Sequence, residues 1–254
     1  MIPIKSSKDI EAMREGGHKL GDILAKLMTL SVPGVTLSEI EKKAVDMIHE
    51  AGGVPSFSTV EDYKWATCLC LNEQVVHGIP NKRVLKAGDV FTIDIGMIYK
   101  GFHTDTARSL IVGNGKDEKK ERLLQVGRET LEKAIAVARP GNHIGDISKV
   151  IETNIKGAGY SIVESLTGHG VGRKLHELPQ IPGYIKGDIA KTPTIAVGMT
   201  LAIEIIYAEG NGEIWYTNDD GWTLETKDKS LTAVFEHSIA VTESENLVLT
   251  RSEL

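Results

Sequence analysis

The chain has 254 residues, with 29 basic and 35 acidic side chains giving a formal net charge of −6. Hydrophobic residues make up 41% and charged residues 25%, ordinary globular usage that excludes a disordered or collagen-like chain. The acidic balance argues against nucleic acid as a main partner; no apolar run is long enough to span a membrane, and the N-terminus lacks a signal-peptide core.

The first predicted element is a helix over 10–30, where Met13, Leu20, Ile23, Leu24 and Leu27 fall on one stripe. Pro33-Gly34 breaks it. A second helix starts at Thr36, which forms a capping box with Glu39, and ends at Gly52-Gly53. Strands are expected over 66–71, 90–98 and 104–112, then helices over 117–138 and 144–156. Strands return over 200–208, 214–218 and 233–241. Cys68 and Cys70 share one strand face, too close for an unstrained disulfide, and read as reduced thiols of a cytoplasmic protein.

Helix–helix–strands thus occurs twice. Pro33-Gly34 and Pro140-Gly141 lie 107 positions apart, and Glu39-Ile40 matches Asp146-Ile147 at that offset. Gly88-x-x-Phe91-x-Ile93-Asp94 matches Gly198-x-x-Leu201-x-Ile203-Glu204 at an offset of 110. Two similar αα-plus-sheet halves in one α+β domain spanning residues 1–254 are expected, because no linker-like segment divides them.

The repeat sets Asp94 and Glu204 at equivalent places in two apolar strands, where a lone carboxylate is costly. A hairpin turning at Tyr99-Lys100 would place Asp94 opposite Asp105. Two facing carboxylates need a shared proton or a cation between them; a pair of hydrogen-bonded turn aspartates is the other reading of these residues. A second cluster is Gly168-His169-Gly170-Val171-Gly172, followed by His176-Glu177-x-Pro179, and a third is Phe235-Glu236-His237. Imidazole with carboxylates suits first-row divalent metals.

Asp94, Asp105, His169, Glu204 and Glu236, in that order and near those spacings, resemble the five-ligand set of the methionine aminopeptidases. So do the phrases Asn72-Glu73-x-Val75-x-His77-Gly78-Ile79-Pro80, Gly101-Phe102-His103-x-Asp105-Thr106-Ala107 and Glu236-His237. The resemblance spans essentially the whole chain. It implies the pita-bread fold, with two pseudo-twofold-related halves around a central antiparallel sheet. It points to the type I class: only 35 residues separate His169 from Glu204, and no zinc-finger extension precedes the first helix.

The implied chemistry is removal of the initiator methionine before a small second residue by two divalent ions, with cobalt, manganese, iron, zinc or nickel all compatible. The resemblance implies that Asp94 chelates one ion, His169 the other, and Asp105 and Glu236 bridge. It makes Glu204 both ligand and general base, His77 a contact to the scissile amide, and His176 a stabiliser of the developing oxyanion. Phe57, Val60, Tyr63, Cys68, Leu175 and Trp222 align with the methionine pocket. Val60 and Leu175 stand where aromatics are more usual, and Ser58-Thr59-Val60-Glu61-Asp62 lacks the customary glycines and proline. His103 shares a strand face with Asp105 and is expected to orient a ligand.

The implied partners are nascent polypeptide N-termini and a transient ribosome contact, with no membrane or specific nucleic acid, for a monomer in the cytoplasm. An X-Pro aminopeptidase and a catalytically silent peptide-binding relative are the alternatives.

Overall fold

The computed structural model describes residues 1–113, 117–217 and 220–252. In chain order the elements are α1 (Ser7–Leu30), α2 (Leu37–Glu50), β1 (Val54–Pro55), β2 (Thr67–Leu71), β3 (Gln74–Val76), β4 (Val90–Tyr99), β5 (Phe102–Ile111), α3 (Glu118–Val137) and α4 (Ile144–Gly157). They continue with β6 (Ser161–Ile162), β7 (Thr167–Gly170), β8 (Glu177–Pro182), β9 (Thr200–Ala208), β10 (Ile214–Tyr216), β11 (Leu224–Thr226), β12 (Thr232–Ala240) and β13 (Leu247–Val248). The long elements lie where the apolar spacing predicts them. The strand expected over 214–218 ends at Tyr216; position 218 lies outside the described residues.

The main sheet runs β1-β4-β5-β12-β9-β7-β8, with β2 on the far side of β4. At its centre two antiparallel hairpin-like pairs, β4–β5 and β9–β12, meet along β5 and β12. Successive side chains of a strand face opposite ways. On β4, Ile93, Ile95 and Met97 join the core under α1 and α2, while Leu201, Ile203, Ile205 and Tyr207 of β9 join the core under α3 and α4. The intervening residues of β4 and β9, Asp94 and Glu204 among them, face away from the helices.

The duplication extends to local capping. The backbone N–H of Thr36 donates to Glu39 at 2.8 Å, and that of His143 donates to Asp146 at 2.8 Å. Thr36 and His143 also form isolated bridges, to Val84 and Thr194. Each helix pair is thereby stapled at its second helix to the loop entering its long strand.

Two expectations are corrected. The β4–β5 turn falls at Lys100-Gly101, both with positive φ (49° and 78°), so Tyr99 pairs with Phe102. This two-residue loop matches strand twist and favours glycine at its second position. Asp94 therefore pairs with Ala107 and Asp105 with Gly96, a diagonal rather than a facing pair. Strands β7 and β8 are absent from the sequence-based reading. Three of the four strand residues of β7 lack a β-forming side chain pattern, and β8 carries Pro179 and Pro182, tolerated because it is an edge strand.

Ile203 is fully buried in the larger core. Ile203→Ala should destabilise the chain by ~2–5 kcal/mol in urea unfolding without changing the pattern of secondary structure in circular dichroism.

Candidate active site

The two central hairpins turn their non-helical faces into a cavity of about 540 Å³. Every residue singled out in the sequence as ligand or catalytic group lines it: Asp94, Asp105, His169, Glu204, Glu236, His77 and His176. Glu204 and Glu236 are direct cross-strand partners, on β9 and β12. Asp94 comes from β4, Asp105 from β5, and His169 from β7, where it pairs with Ala202. The Nε2 atom of His169 lies 3.4 Å from Glu204 Oε1 and 4.0 Å from Asp105 Oδ2. One ligand atom each of Asp105, His169 and Glu236 lies within 4.8 Å of the others.

The four carboxylates of the cluster share this cavity with Glu177, and among the described residues no lysine or arginine lines it. Burial raises Asp94 to about 7 and pushes Asp105, Glu204 and Glu236 well above their ordinary range. Repulsion from Asp94 adds to the rise of the other three. Burial also lowers His169 to about 4, with His176 contributing, so its ring is a neutral ligand at pH 7. Asp94 Oδ1, Asp105 Oδ1 and Glu236 Oε1 are buried without a hydrogen-bond partner. Buried orphan carboxylate oxygens are costly unless a cation completes them. Two divalent ions would balance the four negative charges, and an oxygen-rich set with one imidazole suits first-row metals. The residues present fit a two-metal centre.

The two catalytic candidates flank this cluster. The ring of His176 meets that of His169 edge-on at 4.5 Å, and the ring of His77 meets Trp222 at 6.2 Å. Burial lowers the pKa of both His77 and His176. His77 adopts φ 56°, a left-handed conformation uncommon for a residue with a Cβ.

Beside the charged end the cavity is apolar. Phe57, Tyr63, Cys68 and Leu175 form a buried cluster of their own, with Val60, Trp65, Ile79 and Trp222 against it. Tyr63 packs edge-on to Phe57, Trp65 and Trp222, at centroid distances of 6.5, 5.2 and 5.1 Å. Its hydroxyl donates to Thr67 O at 2.8 Å. All six pocket positions identified in the sequence meet here. Val76 and Ile206 also line the cavity; Ile206 falls within the strand expected over 200–208, Val76 in none of the expected elements, and the sequence singled out neither.

His103 is corrected in role. Its ring bonds Ser56 Oγ at 2.7 Å and its backbone N–H donates to Gly172 O at 2.7 Å. It ties together the loops before β2 and after β7, and its ring is spent on Ser56 rather than on a carboxylate of the cluster.

Sequence reasoning also missed Lys5 and Glu177. Lys5 Nζ donates to Glu177 Oε2 at 2.5 Å, with both side chains almost wholly buried (3% and 7% exposed). Glu177 Oε1 accepts the backbone N–H of Lys174. The lysine passes so close to Gly172 that a Cβ there would lie 2.4 Å from Lys5 Cε. The loop carrying Leu175 and His176 is thus held from beneath by the N-terminal arm. Only the lysine-glutamate separation of 172 positions hides the pair from sequence reading.

The sheet, the buried carboxylate–imidazole cluster and the adjoining apolar pocket define a metallohydrolase-type centre. The family described as Metallopeptidase family M24 matches residues 11–243, and the chain belongs to it. Methionine aminopeptidase 1 of Bacillus subtilis is 39% identical over 251 residues, covering 99% of this chain and 100% of that protein. The Escherichia coli methionine aminopeptidase is 36% identical over 252 residues, covering 98% and 94%. The crystal structure of methionine aminopeptidase from Thermotoga maritima superposes with a TM-score of 0.95 at 40% identity, covering 99% of this chain and 100% of that one. The prolidase from Pyrococcus furiosus shares the fold, with a TM-score of 0.79 at 21% identity, 99% of this chain matching 66% of its length.

Lys5→Met leaves Glu177 buried without its partner and should destabilise the protein by ~3 kcal/mol. Turnover should fall while bound metal, measured by atomic emission, stays constant. Asp105→Asn should instead lower bound metal and turnover together.

Proposed function

We propose that this chain, acting as one catalytic unit over residues 1–254, removes the initiator methionine from polypeptide N-termini. The observation that carries the reading is the meeting, in one cavity, of the charged cluster, two neutral histidines and a closed apolar pocket. Nascent polypeptides are the substrate class, and the methionine aminopeptidases that this chain matches over their full length support it.

In this reading Asp94, Asp105, His169, Glu204 and Glu236 would together hold the two ions, with Asp105 and Glu236 as the shared ligands. When bound, the ions polarise the scissile carbonyl and lower the pKa of a water molecule so that it attacks near neutral pH. Glu204, with its carboxylate in the cavity, would serve as the general base for the attacking water and would pass the proton to the leaving amine. His77 donates a hydrogen bond to the substrate amide. His176, held by the Lys5–Glu177 pair beneath its loop, donates to the carbonyl oxygen as it becomes negative, an oxyanion-type stabilisation. Both roles need a ring with one N–H, the form that burial favours at pH 7. Phe57, Tyr63, Cys68, Leu175 and Trp222 enclose the methionine side chain, whose flexible thioether suits aromatic edges and a thiol. With Val60 and Leu175 in place of larger side chains, the pocket selects methionine less strictly than a fully aromatic one.

We place the enzyme in the cytoplasm, where new N-termini emerge and where Cys68 and Cys70, both free thiols, stay reduced. It works as a monomer in transient contact with the ribosome. Among the described residues no helix is long and apolar enough to cross a membrane.

Release of methionine from Met-Gly-Met should far exceed that from Met-Ile-Met, and should vanish on chelation and return with manganese or cobalt. Release of any first residue ahead of proline, at a rate matching Met-Gly-Met, would instead support the X-Pro reading; no hydrolysis with metal bound would support the silent one. His77→Ala should lower turnover ~10²-fold with metal content unchanged. Leu175→Phe should reduce cleavage of norleucine and leucine peptides more than cleavage of methionine peptides.

A further inference from the structure

A second cavity lies on the opposite face of the same strands. Arg108 follows Ala107 on β5 and pairs with Phe235 on β12, so its side chain faces the helices rather than the carboxylate cluster. There β5, β12, α1, α3 and the segment 250–252 enclose this cavity, of about 650 Å³. Four basic side chains line it: Arg108, Arg128, Lys133 and Arg251.

Three glutamates line it as well: Glu236 belongs to the carboxylate cluster of the active site, and Glu129 and Glu132 at the rim are already engaged. Glu132 accepts from Arg251 at 2.7 Å and Glu129 accepts from Gln125 at 2.7 Å. Lys133 donates to Asn154 at 2.7 Å. Arg108 and Arg128 remain: among the described residues neither has a carboxylate within ion-pair distance. Arg128 lies over the Phe235 ring at 6.0 Å. The two guanidiniums are close enough that Arg128, after burial, lowers the pKa of Arg108. Two like charges gathered in a partly buried cavity repel each other, and each guanidinium carries a planar fork of donors that matches an oxyanion.

We propose that this rear cavity binds a small organic phosphate, its phosphate group held between Arg108 and Arg128. The charge decides between oxyanions. Two unpaired guanidiniums are matched by a phosphate monoester, which carries between one and two negative charges at pH 7, better than by a single carboxylate. The volume decides the size. It falls within the ~300–1,000 Å³ of small-molecule sites, far more than a phosphate ion alone needs. The remaining wall is apolar, from Leu24 and Met28 of α1 and Leu131 of α3, and suits the uncharged part of such a ligand. The site lies behind the strand that carries Glu236, and Thr106, on its lining, donates its hydroxyl to the Glu236 carbonyl at 2.9 Å.

The test is calorimetric titration of the metal-loaded full chain with AMP, against adenosine, inorganic phosphate and succinate. AMP should bind, and more tightly than adenosine, phosphate or succinate. Arg108→Gln and Arg128→Gln should each weaken AMP binding about tenfold or more, the value of a charged hydrogen-bonded contact. Release of methionine from Met-Gly-Met should persist in both variants, since neither residue touches the reaction centre. Arg128→Lys, which keeps the charge and loses the fork, should weaken binding less than Arg128→Gln.

Should a variant fail to fold, AMP should still protect Arg108 and Arg128 of the unmodified sequence from phenylglyoxal, read by mass spectrometry. Absence of AMP binding, equal affinity in wild type and the double variant, which would put the phosphate on the metal centre, or no protection of the two arginines would each overturn the proposal. Tighter binding of succinate than of phosphate would overturn it in favour of a carboxylate site.

Discussion

Four carboxyl groups converge in a space that no lysine or arginine among the described residues lines, and the architecture around them follows from that repulsion. Burial raises all four, and three of them carry an oxygen atom without a partner. In a folded chain of marginal stability such a cluster persists only where the surrounding structure over-determines it. Here that support comes from two hydrophobic cores, one beneath each half, which clamp β4 and β9 from the helical side. The helices do no chemistry. They hold rigid the strand faces from which the carboxylates project, and divalent cations relieve the charge.

The two halves solve the same problem with different registers. Glu204 and Glu236 face each other directly across β9 and β12, whereas the tight Lys100-Gly101 turn slides Asp105 two places along from Asp94. The longer glutamates and shorter aspartates thus approach one centre from a facing pair and a diagonal pair. The outer strands repeat as well. Cys70 on β2 pairs with Thr92, and His169 on β7 pairs with Ala202, at positions related by the repeat. His77 and His176 follow Cys70 and His169 at the same distance along the chain. One half places an imidazole in the cavity where the other has a buried thiol, while both contribute a histidine at the rim.

The loops, rather than the sheet, set the approach to the centre. Ser56, His103 and Gly172 form one hydrogen-bonded tie, and Lys5 with Glu177 forms a second under the His176 loop. Both are buried, so the loops are held in place before substrate arrives, which is the preorganisation that electrostatic stabilisation of a transition state requires. The use of the N-terminal arm as a strut explains why Gly172 has no side chain: its Cβ would occupy the space of the lysine.

Much of this was legible in the residues themselves. Period-3.6 and period-2 apolar spacing, capping residues and Pro-Gly breaks are local signals, and they located all four helices and the long strands of both halves. The duplicated phrases around Asp94 and Glu204 exposed the two-half architecture, and a distinctive joint pattern of carboxylates and histidines marked the site residues. What stayed hidden depends on which distant segments touch. The glycine- and proline-rich β7 and β8 carry no strand periodicity, because pairing with neighbouring strands, β9 and β8 for β7 and β7 for β8, rather than intrinsic propensity makes them extended. The diagonal setting of Asp94 and Asp105 depends on a turn shifted by one residue, and the role of His103 on a serine in another loop. The Lys5–Glu177 pair and the gathering of Arg108 with Arg128 join residues far apart in the chain. The sequence by itself determined which side chains each strand presents to each face, since alternation is built into the backbone. Only the tertiary structure decided which faces meet, because that choice rests on register, turn geometry and burial, none of which is a property of neighbouring residues.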